Sequence, residues 1–251
     1  MTPFATDWLA VFLIAAGPFV GSFVGTLALR WPAGDSVVGG RSACRSCHAT
    51  LAWRDLLPLV SWIALRGRCR RCGAEIGLLY PSTEVAALGV GIWATLAFSG
   101  VELALVCVLG WALLALAVID ARTKLLPDLL TLPILIVGVG LAGFDGRLIE
   151  SLLGAAIGFA LFATLAVGYR RWRHRDGLGL GDAKLLAAAG AWVGWVGLPG
   201  IVLAASVTAL VVAVPTIMRR RAGIGAVEIA FGPYLAAATW ITVLHGPIVI
   251  A

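Results

Sequence analysis

Apolar runs long enough to cross a lipid bilayer recur along this chain, and nothing constrains its fold more. A spanning helix takes roughly 20 mostly apolar residues, because hydrocarbon offers no partner to an open backbone amide. Runs near that length appear at about 8–29, 82–99, 102–119, 129–143, 149–169, 184–197, 200–217 and 228–247. Eight apolar runs are too many for a buried core. The composition agrees: 61% of the 251 residues are hydrophobic and 13% are charged. Soluble domains carry about 25% charged residues. The fold class this predicts is an all-α polytopic membrane protein of about eight transmembrane helices. The first run has Asp7 before it and Arg30 after it. It lacks the basic leading flank of a cleaved signal and reads as a first span.

The charges sort by loop. The stretch 30–81 carries Arg30, Arg41, Arg45, Arg54, Arg66, Arg68, Arg70 and Arg71. Later loops of the same parity carry Arg122 and Lys124, then Arg170, Arg171, Arg173, Arg175 and Lys184, then Arg219, Arg220 and Arg221. Of the 19 Lys and Arg, only Arg147 lies elsewhere. The positive-inside rule then places all four basic loops in the cytoplasm and both termini outside. The net charge of +6 therefore reads as topology, with membrane lipid as the surrounding partner and no nucleic acid expected.

Three parts follow: a first transmembrane helix (1–29), a cytoplasmic module (30–81) and a transmembrane domain (82–251). The module holds Cys44-Arg-Ser-Cys47 and Cys69-Arg-Arg-Cys72, with 21 residues between the pairs. Two such hooks resemble a tetrahedral zinc site, and on a reducing side metal binding precedes disulfide formation as a reading. Cys44, Cys47, Cys69 and Cys72 are thus expected to hold a structural Zn, closed to catalysis. Unpaired structural thiols or redox chemistry are the alternative. His48 is expected to be a surface side chain and Cys107 a small apolar one.

Two polar motifs interrupt span ends. Asp120 ends one apolar run, with Pro127-Asp128 just beyond, and Asp182 lies in Gly177-Leu-Gly179-Leu-Gly181-Asp182-Ala-Lys184. Ionisable groups at that depth are costly and become functional candidates. Two carboxylates brought together share one proton, so one can act as base on a water while the other donates to a carbonyl. The plainer readings are capping for Asp128 and Asp182, and an ion pair with Arg122 or Lys124 for Asp120.

At these residues the chain resembles the bacterial type IV prepilin peptidases, bifunctional leader peptidase/N-methyltransferases whose aspartyl protease motif is Gly-x-Gly-Asp. The resemblance is carried by Gly21-Ser-Phe23, Arg30-Trp-Pro32, the two cysteine hooks, Asp55 to Trp62, Leu65 to Cys72, and Tyr80-Pro81 with Glu84. It continues through Ile119-Asp120, Leu126-Pro-Asp128, Gly179-Leu-Gly-Asp182-Ala-Lys184, Gly190 to Gly194 and Phe231-Gly-Pro-Tyr-Leu235. It implies that Asp120 and Asp182 are catalytic, with Asp128, Gly179, Gly181 and Lys184 in support. It further implies a prepilin or pseudopilin substrate cut at its short basic leader on the cytoplasmic face of the bacterial inner membrane. The module is implied to be the methyltransferase part, with S-adenosylmethionine as methyl donor. Gly25 departs from the family, whose members often carry asparagine there, and this bears on methylation. Outside the resemblance, membrane aspartates also suit a proton-coupled transporter, and a zinc module suits a membrane scaffold that docks a partner.

Overall fold

A computed structural model describes residues 8–37, 39, 41–173, 179–220 and 229–246. Gly177, Arg175, Arg221 and the two chain termini, used above for motif and topology, lie outside the described residues. Every regular element among the described residues is helical. The helices are α1 (Trp8–Arg30), α2 (Val60–Ala64), α3 (Leu79–Thr95), α4 (Gly100–Thr123), α5 (Asp128–Phe144), α6 (Leu148–Arg173), α7 (Leu180–Arg220) and α8 (Gly232–His245). Two short 3-10 turns, Trp31–Ala33 and Trp53–Leu56, belong to the stretch between α1 and α3.

Among the described residues, four segments are long and apolar enough to cross a membrane: Trp8–Ala33, Gly100–Thr123, Leu148–Trp172 and Leu180–Pro215, while α5 is a shorter apolar helix. The expected count of eight does not emerge from helix lengths. The runs 184–197 and 200–217 were expected as separate spans. Both lie within α7, which Gly194 (φ 73°, ψ 178°) divides into two helices a few residues before the expected boundary. That backbone region is open essentially to glycine alone. An apolar run places such a break only to within a few residues, because hydropathy is blind to dihedral angles.

The chain divides into two compact units, Met1–Ala115 and Leu116–Ala251. In the first, α1 lies against α3. Gly17, Gly21 and Gly25 recur every four residues along one side of α1. A Cβ on Gly17 would fall 2.8 Å from the Ala87 carbonyl oxygen, and one on Gly21 would fall 2.5 Å from the Glu84 Cα. The glycines therefore let two backbones touch, which is how apolar helices associate where lipid removes the hydrophobic drive. Trp111 of α4 donates its indole N–H to the Ala87 carbonyl at 3.0 Å, and Cys107 is fully buried as a small apolar side chain.

In the second unit α6, α7 and α8 pack in turn, with α5 against α6 and α7. Gly154 of α6 and Gly190 of α7 meet backbone to backbone, leaving no room for a Cβ on either. Ser151 donates to the Ala191 carbonyl at 2.7 Å, and Trp192 donates to the Ile134 carbonyl at 2.9 Å. These bonds satisfy polar groups that lipid would leave open. They also fix the N-terminal half of α7, the half that carries Asp182.

Candidate functional site

Four helix ends of the second unit meet around two aspartates. Asp120 sits in the last turn of α4 and is 5% exposed, while Asp182 sits in the first turn of α7 and is 8% exposed. Asp120 Oδ2 accepts the backbone N–H of Gly232, at the start of α8, at 2.9 Å. A Cβ on Gly232 would lie 2.6 Å from that oxygen, so only glycine allows the approach. The Asp182 N–H donates to the Gly179 carbonyl at 3.1 Å. Its Oδ1 is buried and has no hydrogen-bond partner among the described residues. The two carboxylates are close enough to feel each other's charge. A buried carboxylate oxygen without a partner is expensive to hold, which makes Asp182 a candidate functional group.

Two flanking motif residues pair with each other. Lys184 Nζ reaches both oxygens of Asp128, at 2.6 and 2.8 Å. Asp128 was expected to cap α5. The cap position is held by Pro127, which makes no side-chain cap bond, and Asp128 is the first helical residue. Its carboxylate is drawn to the lysine, which a charged partner wins over a single amide. Gly181 packs under Leu126, whose Cβ would lie 3.0 Å from an added methyl. Gly179 is exposed, and a Cβ there would stand 3.6 Å from Asp182 Oδ2, an ordinary contact. So Gly181 is needed for packing, while Gly179 is not crowded. Gly232 was quoted only as part of an aromatic-glycine-proline string. A Gly-Pro pair opening a late helix was the one signal that could have singled it out.

The cysteine module builds a different kind of site. In the first hook the Cys44 N–H donates to the Ala49 carbonyl and the His48 N–H to the Cys44 carbonyl, both at 2.9 Å. The second hook repeats this, Cys69 to Ala74 at 2.8 Å and Gly73 to Cys69 at 2.9 Å. Each hook is closed by one residue in the left-handed region, His48 at φ 54° and Gly73 at φ 70°. His48 therefore holds the turn position that glycine takes in the other hook, and it is exposed.

The four Sγ atoms lie within 4.8 Å of one another, and Cys44 and Cys72 are 3.8 Å apart. A tetrahedron with metal–sulfur bonds of about 2.3 Å has an edge of about 3.8 Å. Backbone N–H groups of Cys47 and Ser46 bring the Cys44 thiol down to about 6. At Cys72 the backbone of Ala74 pulls downward, but the neighbouring thiol of Cys47, burial, Cys69 and Cys44 outweigh it and raise the group to about 11. Crowded thiols cannot all ionise alone, and a divalent cation at their centre would allow it. The donor set fits a soft-ligand metal such as zinc. Asp55 accepts from Arg70, inside the second hook, at 2.8 Å, and Trp62 donates to the Ile76 carbonyl at 3.2 Å.

The module is tied to α3 by Glu84, which is 5% exposed. Glu84 Oε2 accepts the N–H of Leu59 at 2.7 Å, and Leu59 has φ 61°. An added side chain at Gly25 would stand 3.0 Å from the Tyr80 ring and 3.2 Å from Thr83 Oγ1.

Comparison with known proteins agrees along the chain. The family model of the Bacterial Peptidase A24 N-terminal domain matches residues 15–98, and that of the Type IV leader peptidase family matches residues 107–214. A protein of Aeromonas hydrophila named prepilin leader peptidase/N-methyltransferase is 40% identical over 210 residues, covering 82% of this chain and 72% of the relative. One of the same name from Burkholderia pseudomallei (strain K96243) is 41% identical over 271 aligned positions, covering 96% of this chain and 87% of the relative. A third, from Myxococcus xanthus, is 40% identical over 212 residues, covering 82% of this chain and 62% of the relative. No solved structure matches. With both family models in register and with relatives near 40% identity over most of its length, the chain belongs to the type IV leader peptidase family.

Proposed function

We infer that this protein is a prepilin leader peptidase and N-methyltransferase, which cleaves the leader of type IV prepilins or pseudopilins and methylates the new N-terminus. Family membership and the names of its relatives support this and do not favour the transporter or scaffold readings. The observation that carries the peptidase half is the buried pair Asp120 and Asp182, of which Asp182 Oδ1 has no partner among the described residues.

The pair works as an acid and a base. The Gly232 N–H stabilises the ionised form of Asp120, so Asp120 takes a proton from a water. The resulting hydroxide attacks the scissile carbonyl carbon. Asp182 holds the shared proton and gives it to the carbonyl oxygen, forming the tetrahedral intermediate. Collapse breaks the C–N bond as one hydroxyl of the intermediate returns its proton to Asp182, and the departing amine takes up the proton held by Asp120. The Lys184–Asp128 pair and Leu126 on Gly181 hold the two motif loops in register.

The parts are assigned as 30–81 for the methyltransferase part and 82–251 for the peptidase domain. Cys44, Cys47, Cys69 and Cys72 are assigned to a structural zinc, which when bound would staple the hooks. The described residues form no strand, so no βαβ turn holds S-adenosylmethionine here, and no methyl-transfer step is assigned to a residue. The basic loops face the cytoplasm and both termini the outside of the bacterial inner membrane, which puts the aspartates on the side of an untranslocated leader.

Mass spectrometry of the N-terminus of a co-expressed pilin tests both halves together. Asp120→Asn and Asp182→Asn should each lower cleavage about a thousandfold or more while the protein still inserts. Normal processing by either variant would overturn the assignment.

A further inference from the structure

The cysteine module carries an apolar patch where a small water-bathed module would be polar. Trp53, Leu56, Val60 and Ile63 are 77, 44, 63 and 67% exposed. They lie on one short stretch formed by the Trp53–Leu56 turn and α2. Val60 and Ile63 are three apart and share a helix face. Arg54 and Arg66, both exposed, stand at the two ends of the stretch. A five-residue helix does not hold itself together in water, and an exposed contiguous apolar patch marks a contact surface.

The tether to α3 sets where this patch must sit. Leu59, in the middle of the stretch, is bonded to Glu84. Glu84 is five residues into α3, roughly 8 Å along its axis. Opposite it on α1 is Gly21, which lies nine residues before Arg30, about 13 Å from that helix end. The stretch is thus pinned below the cytoplasmic ends of the helices that carry it. An interfacial helix buries its apolar face about 5–10 Å into the boundary between headgroups and acyl chains.

We propose that residues 53–66 lie in the membrane interface, with Trp53, Leu56, Val60 and Ile63 in the acyl boundary and Arg54 and Arg66 on the phosphates of anionic phospholipid. This rests on the cytoplasmic placement of the module, not on the role of the aspartates. Anionic lipid is favoured by charge: the stretch 30–81 has eight arginines against Asp35, Asp55 and Glu75, with Asp55 already paired to Arg70.

Hydrogen exchange of the full-length protein in nanodiscs tests this without reference to cleavage. The amides of Ser61, Ile63 and Leu65, bonded to the carbonyls of Leu57, Leu59 and Ser61, report on α2. They should exchange roughly tenfold more slowly in discs containing phosphatidylglycerol than in phosphatidylcholine alone. Trp53→Ser with Ile63→Ser should abolish the protection. Arg54→Gln with Arg66→Gln, which leaves the apolar patch intact, should reduce it to the phosphatidylcholine level. Equal exchange in both lipids overturns the proposal. So does protection that appears only in discs holding two copies, which would make the surface a contact between protomers.

Discussion

The two polar regions of this protein hold their functional atoms by opposite means. The cysteine module places four thiols with short turns, each hook closed by its own backbone bonds within a few residues. The aspartate site has no local framework. Asp120 and Asp182 are 62 positions apart in the sequence, and the amide bonded to Asp120 comes from Gly232, 112 positions away. The first can be built from spacing, with a metal supplying the binding energy. The second exists only once α4, α5, α7 and α8 have packed. Disturbance should therefore reach the two regions by different routes.

Metal removal should give the largest effect and stay on one side of the comparison. Structural zinc sites are worth about 10 kcal/mol or more. A strong chelator, or Cys69→Ser, should open residues 41–76 to limited proteolysis while leader cleavage in detergent persists. Immediate loss of cleavage with the membrane helices still protected would break the separation. Next is Gly232→Ala, which puts a methyl where Asp120 Oδ2 now stands. A carboxylate displaced by about 1 Å costs on the order of a hundredfold in rate. Cleavage kinetics on a purified prepilin should show that loss in kcat, with the module's metal content unchanged.

The brace is weaker. Lys184 and Asp128 are both partly exposed, at 38 and 53%, and pairs of that kind are worth about 0.2–1 kcal/mol. Lys184→Ala should lower cleavage a few-fold. Asp128→Asn should match it, and their combination should cost little more, a double-mutant cycle that tests the pair directly.

The smallest effect is a pH dependence of the module alone. Arg70 bonds Asp55 and holds its carboxyl below the usual carboxylate range. The folded value is the lower one, so this contribution is fully present above the ordinary Asp value of about 3.9. It is lost as the pH falls through the lower folded value. With metal kept saturating, proteolytic protection of the module should fall over that acidic window in the native protein, and Asp55→Asn should remove that component.

Legibility in the sequence followed the same division. The all-helical class and the four-thiol cluster could be read directly, the first from apolar run length and the second from hook spacing. The motif aspartates could be named as candidates, but their pairing could not be derived, because separation in sequence carries no distance in space. The count of eight spans is not established, since helix length gives four long apolar segments among the described residues. The division expected between 197 and 200 falls at Gly194, a few residues early because hydropathy is blind to dihedral angles. The capping role expected for Asp128 failed because its competing partner, Lys184, lies on another helix.

Sequence alone determined that this chain needs lipid as its solvent, because hydrogen-bond demand and apolar run length are local properties. It likewise determined that the cysteines could converge, since each hook closes within six residues. Tertiary structure decided the rest: that α8 delivers an amide to Asp120, that Asp182 keeps an oxygen without a partner among the described residues, that Lys184 rather than a helix end claims Asp128, and that Glu84 holds the module against α3. In each case two groups compete for one partner, and only packing sets which comes within bonding distance.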